Sequence, residues 1–193
     1  MPTARTPART DRTRLLAEGA IEVLAAQGAH GLTHRRLDRH LDLPEGSTSN
    51  VFRTREALLA AALDALVGRD LGDLQGDAGP TAITLDAAGD AVADAIFGWL
   101  DPDARPRLLA RYELLLEAAR RPGLQKTFLA HRARFTAISA HLARAAGCDR
   151  PEVRAAEIVA WADGVLLEHI VAPRSALTRE AVAAAARRLL AAG

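Results

Sequence analysis

The stretch that decides the fold is residues 31–59, which read GLTHRRLDRHLDLPEGSTSNVFRTREALL. Thr33 is a suitable N-cap for a short helix, and that helix must end before the break at Pro44. A second short helix is predicted over about residues 45–52. A longer helix is expected to begin at Thr54, because an acidic residue in its first turn favours the helix dipole.

A longer helix is predicted immediately before this stretch. Residues 12–27 carry apolar side chains mostly at helical spacing, and Gly28 marks the end of the pattern. Three helices within about forty residues, the last two joined by a tight turn, have the geometry of a helix-turn-helix DNA reader. In this arrangement the third helix lies in the major groove.

The third helix begins with side chains that suit the edges of DNA bases. Ser47, Thr48 and Ser49 offer hydroxyls that donate or accept, and Asn50 can pair with adenine through two hydrogen bonds. Gly46 would permit close approach of the backbone to a phosphate. The alternative is a helical corner whose serines and threonine form a solvated turn.

The distribution of charge also points to nucleic acid. Residues 1–55 contain nine arginines and six acidic residues, a net charge of +3, so the remainder of this +1 chain carries −2. A basic N-terminal module joined to a more acidic body favours DNA as a partner. An arginine-rich solvated surface explains the same numbers, since 24 of the 25 basic residues are arginine.

Residues 31–59 resemble the DNA-binding domain of the TetR family of transcriptional regulators, and the resemblance extends over residues 12–62. The shared features are a first helix ending in glycine, a threonine-capped second helix and a glycine-led recognition helix ending in an aromatic residue. The resemblance implies that residues 33–52 are the helix-turn-helix. It also implies that residues 47–50 face the bases and that Thr33 and Arg55 contact phosphates. Together with Gly46 and the polar and basic residues that flank the third helix, the predicted DNA-binding set is Thr33, His34, Arg35, Gly46, Ser47, Thr48, Ser49, Asn50, Arg53 and Arg55.

Three positions depart from the family pattern. Asp42 stands where glycine is usual in the turn, Thr48 where a small or apolar residue is common, and Ser49 where tyrosine often contacts the DNA backbone. Aspartate tolerates a left-handed backbone better than most residues, so the turn is still expected. The basic segment 1–11 is predicted to be a flexible arm that either replaces the missing tyrosine anchor or plays no role at DNA.

The fold class predicted for the chain is all-α, with about nine helices. Alanine, the best helix former, provides 43 of 193 residues, while aromatic residues number seven. Residues 12–55 are assigned to the three-helix DNA-binding domain, and residues 56–193 to a larger helical domain for effector binding and dimerisation. That larger domain resembles its family counterpart by the number and order of its helices.

Large aromatic residues in this alanine-rich domain suggest a pocket for a small, ring-containing effector. Residues at this helical spacing more often belong to a plain hydrophobic core, which is the alternative explanation. The predicted effector-binding set is Trp99, Tyr112, Leu116, Phe128, His131, Phe135 and Trp161.

A homodimer is expected through the last two helices. Ala156, Ala160 and Gly164 recur every four residues and allow close helix approach, and the final helix offers an apolar side at Val182, Ala186 and Leu189. The same small-residue stripe could also pack within one chain.

Catalytic and metal-binding patterns were sought, and none was found. The sequence contains no G-x-S-x-G, H-E-x-x-H, G-x-G-x-x-G or phosphate loop, and Cys148 is the single cysteine, so neither catalytic residues nor a cofactor or metal is predicted. No apolar run reaches the length of a membrane span, and a cytoplasmic location is expected. The predicted function is a ligand-responsive repressor that binds a double-stranded operator. The alternative is a helical small-molecule-binding or interaction protein without sequence-specific DNA binding.

Overall fold

A computed structural model describes residues 9–74, 82–173 and 177–191. Within these ranges the chain forms nine α-helices, one short 3-10 turn and no strand, which confirms the all-α prediction. The helices are α1 (Arg9–Gly31), α2 (His34–His40), α3 (Ser47–Val51), α4 (Arg55–Leu74), α5 (Leu85–Leu100), α6 (Arg105–Ala118), α7 (Pro122–Ala145), α8 (Pro151–Val171) and α9 (Arg179–Ala191), with the 3-10 turn at Pro102–Ala104. No helix among the described residues is long and apolar enough to cross a membrane.

The chain divides into two compact units. Unit 1 contains the described residues up to Asp70 together with Pro106–Phe128, and unit 2 contains the described parts of Leu71–Arg105 and Leu129–Gly193. The predicted functional boundary after residue 55 therefore does not coincide with a structural division, since most of α4 belongs to the same unit as the helix-turn-helix.

Unit 1 is built on α1, against which α2 packs, and α3 packs in turn on α2. Leucines fill its core, among them the fully buried Leu16, Leu24 and Leu37. Gly19 permits the contact between α1 and the end of α2, because a Cβ atom at this position would lie 2.8 Å from the Leu41 side chain.

The ends of α1 differ from the prediction in one respect. The helical backbone breaks at Gly28, whose φ of 66° is left-handed, as the glycine stop predicted. At the other end, however, α1 already includes residues 9–11, which had been assigned to the flexible arm. The rest of that arm, residues 1–8, lies outside the described residues.

Unit 2 is dominated by the pairing of α5 with α9. Gly89 allows the two helices to approach closely, since an added Cβ atom would lie 2.9 Å from the carbonyl oxygen of Ala183. Asp94 accepts a 2.6 Å hydrogen bond from Arg179, which lowers the pKa of the Asp94 carboxyl. Val182 and Ala186 of the apolar side predicted for α9 are 2% and 0% exposed, so these two residues are covered within the chain and are not available to a second copy.

Candidate nucleic-acid interface

The helix-turn-helix begins with the predicted cap. Thr33 has an extended backbone, and its hydroxyl oxygen accepts a 3.2 Å hydrogen bond from the N–H of Arg36. This bond satisfies one of the free N–H groups in the first turn of α2. Thr33 remains exposed, so its side chain is accessible from solvent while it caps the helix.

The turn after α2 is a Schellman motif with aspartate in the glycine position. The N–H of Leu43 donates to the carbonyl oxygen of Asp38 (2.8 Å), and the N–H of Asp42 donates to that of Arg39 (3.3 Å). Asp42 has a φ of 50° and is the one non-glycine residue with positive φ among the described residues. The expectation that aspartate adopts the left-handed turn is confirmed.

The carboxylate of Asp38 joins α2 to α3. It is 2% exposed and accepts three hydrogen bonds, from the N–H of Gly46 (2.9 Å), the N–H of Thr48 (2.8 Å) and the hydroxyl of Thr48 (2.6 Å). The two N–H groups lie at the start of α3, where a negative charge is favoured by the helix dipole. One buried side chain therefore fixes the start of the recognition helix on α2.

The structure contradicts the DNA contacts predicted for Gly46, Ser47 and Thr48. Thr48 is fully buried and Ser47 is 6% exposed, so neither presents its side chain to a base. The Gly46 N–H is already bonded to Asp38 and is not available to a phosphate. Glycine is favoured at position 46 because of its left-handed φ of 90°. Lack of space is not the reason, since an added Cβ atom would meet no atom closer than 3.8 Å.

The exposed part of α3 is narrower than the sequence predicted. Ser49 and Asn50 are exposed, and Arg53 is exposed just beyond the helix. The Ser49 hydroxyl donates to the Gly46 carbonyl (3.0 Å), which leaves its oxygen free to accept. The side-chain amide of Asn50 makes no hydrogen bond with any described residue, so both its donor and its acceptor groups are available.

Two residues of α2, His34 and Arg35, were predicted to contact DNA, and the structure gives them different partners. The ring nitrogen Nε2 of His34 lies 2.8 Å from the Phe52 carbonyl oxygen, so this nitrogen carries a proton and ties α2 to the end of α3. Arg35 is largely exposed and lies 3.5 Å from Glu45, itself 75% exposed. An exposed ion pair of this kind is weak, so Arg35 is free to exchange its partner for a phosphate. Arg39, which the sequence reasoning did not select, is also exposed.

Arg55 has a structural role in place of the predicted phosphate contact. Its guanidinium donates to the carbonyl oxygens of Ala29 (2.5 Å) and Leu32 (3.3 Å) and to the carboxylate of Glu117 (2.9 Å). These bonds connect the start of α4 to the end of α1, and the positive charge of Arg55 is paired with Glu117 inside the protein. No local sequence pattern indicates the bond to Glu117, because Glu117 lies 62 residues away.

The predicted effector residues are distributed over both units. Tyr112, Leu116 and Phe128 belong to unit 1, and Leu116 is 52% exposed. The members in unit 2 include Trp99 and Phe135, whose rings meet edge to face with centroids 6.1 Å apart, and the remaining members are His131 and Trp161. An open groove of about 600 Å³ in unit 2 is lined by Leu129, Arg132, Ala133, Thr136, Ala137, Ala140, Arg144 and Glu152 and by none of the seven predicted residues.

Comparisons with known proteins show what the chain is similar to. The family model for the Tetracyclin repressor-like C-terminal domain matches residues 83–192. A TetR-family member from Streptomyces coelicolor A3 is 29% identical, with a TM-score of 0.73, and the match covers 95% of this chain and 98% of that one. A search of curated proteins found no match.

Two further solved structures are similar along nearly their full length. The multidrug binding protein EbrR in complex with ethidium is 27% identical, with a TM-score of 0.75 and coverage of 92% of this chain and 98% of that chain. A transcriptional regulator from Rhodococcus sp. Rha1 is 21% identical, with a TM-score of 0.77 and coverage of 92% and 93%, and this similarity concerns the fold.

We expect Asp38→Ala to lower the free energy of unfolding by about 2–4 kcal/mol, because it removes the shared acceptor of three donors, of which the two on Thr48 are buried. Urea denaturation measures this loss. Ser49→Ala, on the exposed side of the same turn of α3, should change stability by less than about 0.5 kcal/mol. A loss at position 38 no larger than that of the control would contradict the role given to this carboxylate.

Proposed function

We propose, since this chain belongs to the TetR family of transcriptional regulators, that it represses transcription by binding an inverted-repeat DNA operator as a homodimer and that a small apolar effector releases it. The observation that carries the proposal is the exposed Ser49–Asn50 edge of α3, held from behind by the buried Asp38. A recognition helix needs such an arrangement, with a rigid inner side and a polar outer side.

Base reading and phosphate anchoring are assigned to different residues. Asn50 reads a base, since its free amide suits adenine in the major groove, and Ser49 adds one acceptor. The exposed Arg35 and Arg53, with Arg39, provide the sequence-independent attraction to phosphates. Thr33 contributes from the exposed cap of α2.

Selection from a random pool of DNA duplexes should enrich an inverted repeat. On the selected DNA, Asn50→Ala should relax the preference at one position of each half-site, at a cost of about 1–3 kcal/mol. Arg53→Ala should weaken binding to all sequences and lower the salt slope by about one per subunit, because it removes one phosphate contact. Quantitative gel shifts over a series of salt concentrations measure both effects.

The control for these variants is Arg134→Ala, which removes an exposed arginine of α7 in unit 2 and should leave binding unchanged. If Asn50→Ala altered neither affinity nor preference, the assignment of the base-reading residue would be wrong. A pool that yields no enriched sequence would favour the alternative of a small-molecule-binding protein without sequence-specific DNA binding.

The dimer proposal is supported by an apolar face that unit 2 leaves exposed along α8. Val153 and Leu167 are each 46% exposed and Val171 is 77% exposed. Between them the small residues Ala156, Ala160 and Gly164 are exposed too. An apolar face of this length favours a second helix surface as its cover, and an inverted-repeat site requires two copies of the chain.

Ala160→Arg should convert the dimer to a monomer, because it places a long charged side chain at the middle of this face. Sedimentation velocity at micromolar protein concentration measures the change. Ala130→Arg introduces the same side chain at an exposed position of α7 and should leave the dimer intact. A wild-type chain that sediments as a monomer, with and without DNA, would contradict the proposal.

The effector proposal rests on the aromatic residues of unit 2 and on the relative that binds ring-shaped compounds. EbrR has been crystallised with ethidium, proflavin and imidazole. In this chain the edge-to-face pair of Trp99 and Phe135 offers ring surfaces of the kind that pack against such ligands. His131 and Trp161, also in unit 2, belong to the same proposed set.

A thermal-shift screen without DNA, beginning with imidazole, ethidium and proflavin, should identify compounds that stabilise the protein. Ethidium and proflavin also bind DNA, so release is tested with stabilising compounds that do not intercalate. Saturating effector should lower operator affinity at least tenfold, equivalent to about 1.4 kcal/mol of coupling. The proposed release of DNA would be contradicted by a compound that stabilises the wild-type protein but not Trp99→Ala and yet leaves the operator affinity of the wild type unchanged.

A further inference from the structure

Glu117 on α6 is a buried carboxylate that the proposed function does not use. It is 5% exposed and pairs with two arginines, Arg55 at 2.9 Å and Arg121 one helical turn later. Arg55 is the first residue of α4, three positions after Phe52 at the end of the helix-turn-helix. Through this pair α6 holds the exit of the reading motif.

Arg55 also connects Glu117 to the end of α1. The carbonyl oxygens of Ala29 and Leu32 lie in the last turn of α1 and just beyond its end, where the helix ladder no longer supplies donors, and the guanidinium of Arg55 donates to both. The Ala29 carbonyl also accepts a 3.2 Å hydrogen bond from the N–H of Leu32. Leu32 directly precedes Thr33, the cap of α2. The same guanidinium therefore reaches the entry of the reading motif and its exit.

Glu113, one turn earlier on α6, makes a second contact with this segment. Its carboxylate accepts a 2.7 Å hydrogen bond from the N–H of Ala29. A Cβ atom at Gly28 would lie 3.2 Å from the Glu113 carboxylate, so glycine allows α6 to approach the break in α1. Glu113 therefore bonds this segment directly, and Glu117, on the same face of α6, is connected to it through Arg55.

We propose that Glu113 and Glu117 are positioning residues for DNA binding, forming a clamp that fixes both the entry (residues 29–32) and the exit (Arg55) of the motif that carries α3. This inference rests on the proposed DNA-binding function. The clamp lies outside residues 12–55, so the reading surface depends on a helix far away in sequence. Neither glutamate touches Asp38 or Thr48, so its loss leaves the contact between α2 and α3 in place.

The experiment compares Glu117→Gln and Glu113→Gln with wild type on the selected DNA, at a temperature where circular dichroism shows every variant folded. Glutamine keeps the side-chain size but removes the charge. Each variant should lose operator affinity at least fivefold while keeping the wild-type sequence preference, because the base-reading edge itself is intact. Glu152→Gln is the matched control, since it removes an exposed, arginine-paired carboxylate of unit 2, and it should bind as wild type.

A second readout uses no DNA. Amide hydrogen exchange in peptides spanning residues 29–34 and 52–57 should accelerate at least threefold in Glu117→Gln and remain unchanged in Glu152→Gln. A double-mutant cycle with Arg55→Gln should show that the double variant loses little more affinity than either single one, because both single variants open the same clamp.

The outcomes separate the clamp from the proposed function. A wild-type protein that binds no sequence of the pool would contradict the proposed function, and exchange at residues 29–34 would then decide whether the clamp exists. Tight wild-type binding with unchanged affinity in both glutamine variants would overturn the positioning role. If Glu117→Gln does not fold, Glu113→Gln, which keeps an acceptor for the Ala29 N–H and removes only the charge from that hydrogen bond, decides the question.

Discussion

The buried carboxylate of Asp38 is the interaction on which the reading surface depends. A recognition helix of five residues has too few internal hydrogen bonds to be stable alone, so its orientation must come from outside. Asp38 supplies it by accepting two N–H groups at the start of α3 and the hydroxyl of Thr48. This bonding turns Ser47 and Thr48 inward and leaves Ser49 and Asn50 outward.

Two glutamates of α6 are bonded to residues at the two ends of the same motif. Glu113 accepts from the N–H of Ala29, and Glu117 pairs with Arg55. Replacing a buried ion pair by apolar residues is often neutral for stability, so the pairing of Arg55 with Glu117 is better understood as fixing a position than as a source of folding energy. The backbone of α1 turns at the left-handed Gly28, and the carbonyls of Ala29 and Leu32 that follow it accept hydrogen bonds from Arg55. Backbone geometry and buried charge thus specify one arrangement together.

The sequence predicted what depends on neighbours in the chain. The cap at Thr33, the break at Gly28 and the left-handed turn at Asp42 each follow from residues within a few positions, and all three are present. The prediction that Thr48 faces DNA is wrong because its partner, Asp38, lies ten residues earlier on a different helix. Their contact depends on how α2 and α3 pack, which the local sequence pattern does not show. Arg55 was misassigned for the same reason at a longer range.

The most direct test of this account is the hydrogen-exchange footprint of DNA on the wild-type protein. With selected DNA bound, we expect new protection in peptides covering residues 33–36 and 49–54. The amides of Gly46 and Thr48 should be slow to exchange already without DNA, since Asp38 holds both. New protection confined to α5, α8 or α9, or rapid exchange of Thr48 in the free protein, would contradict it.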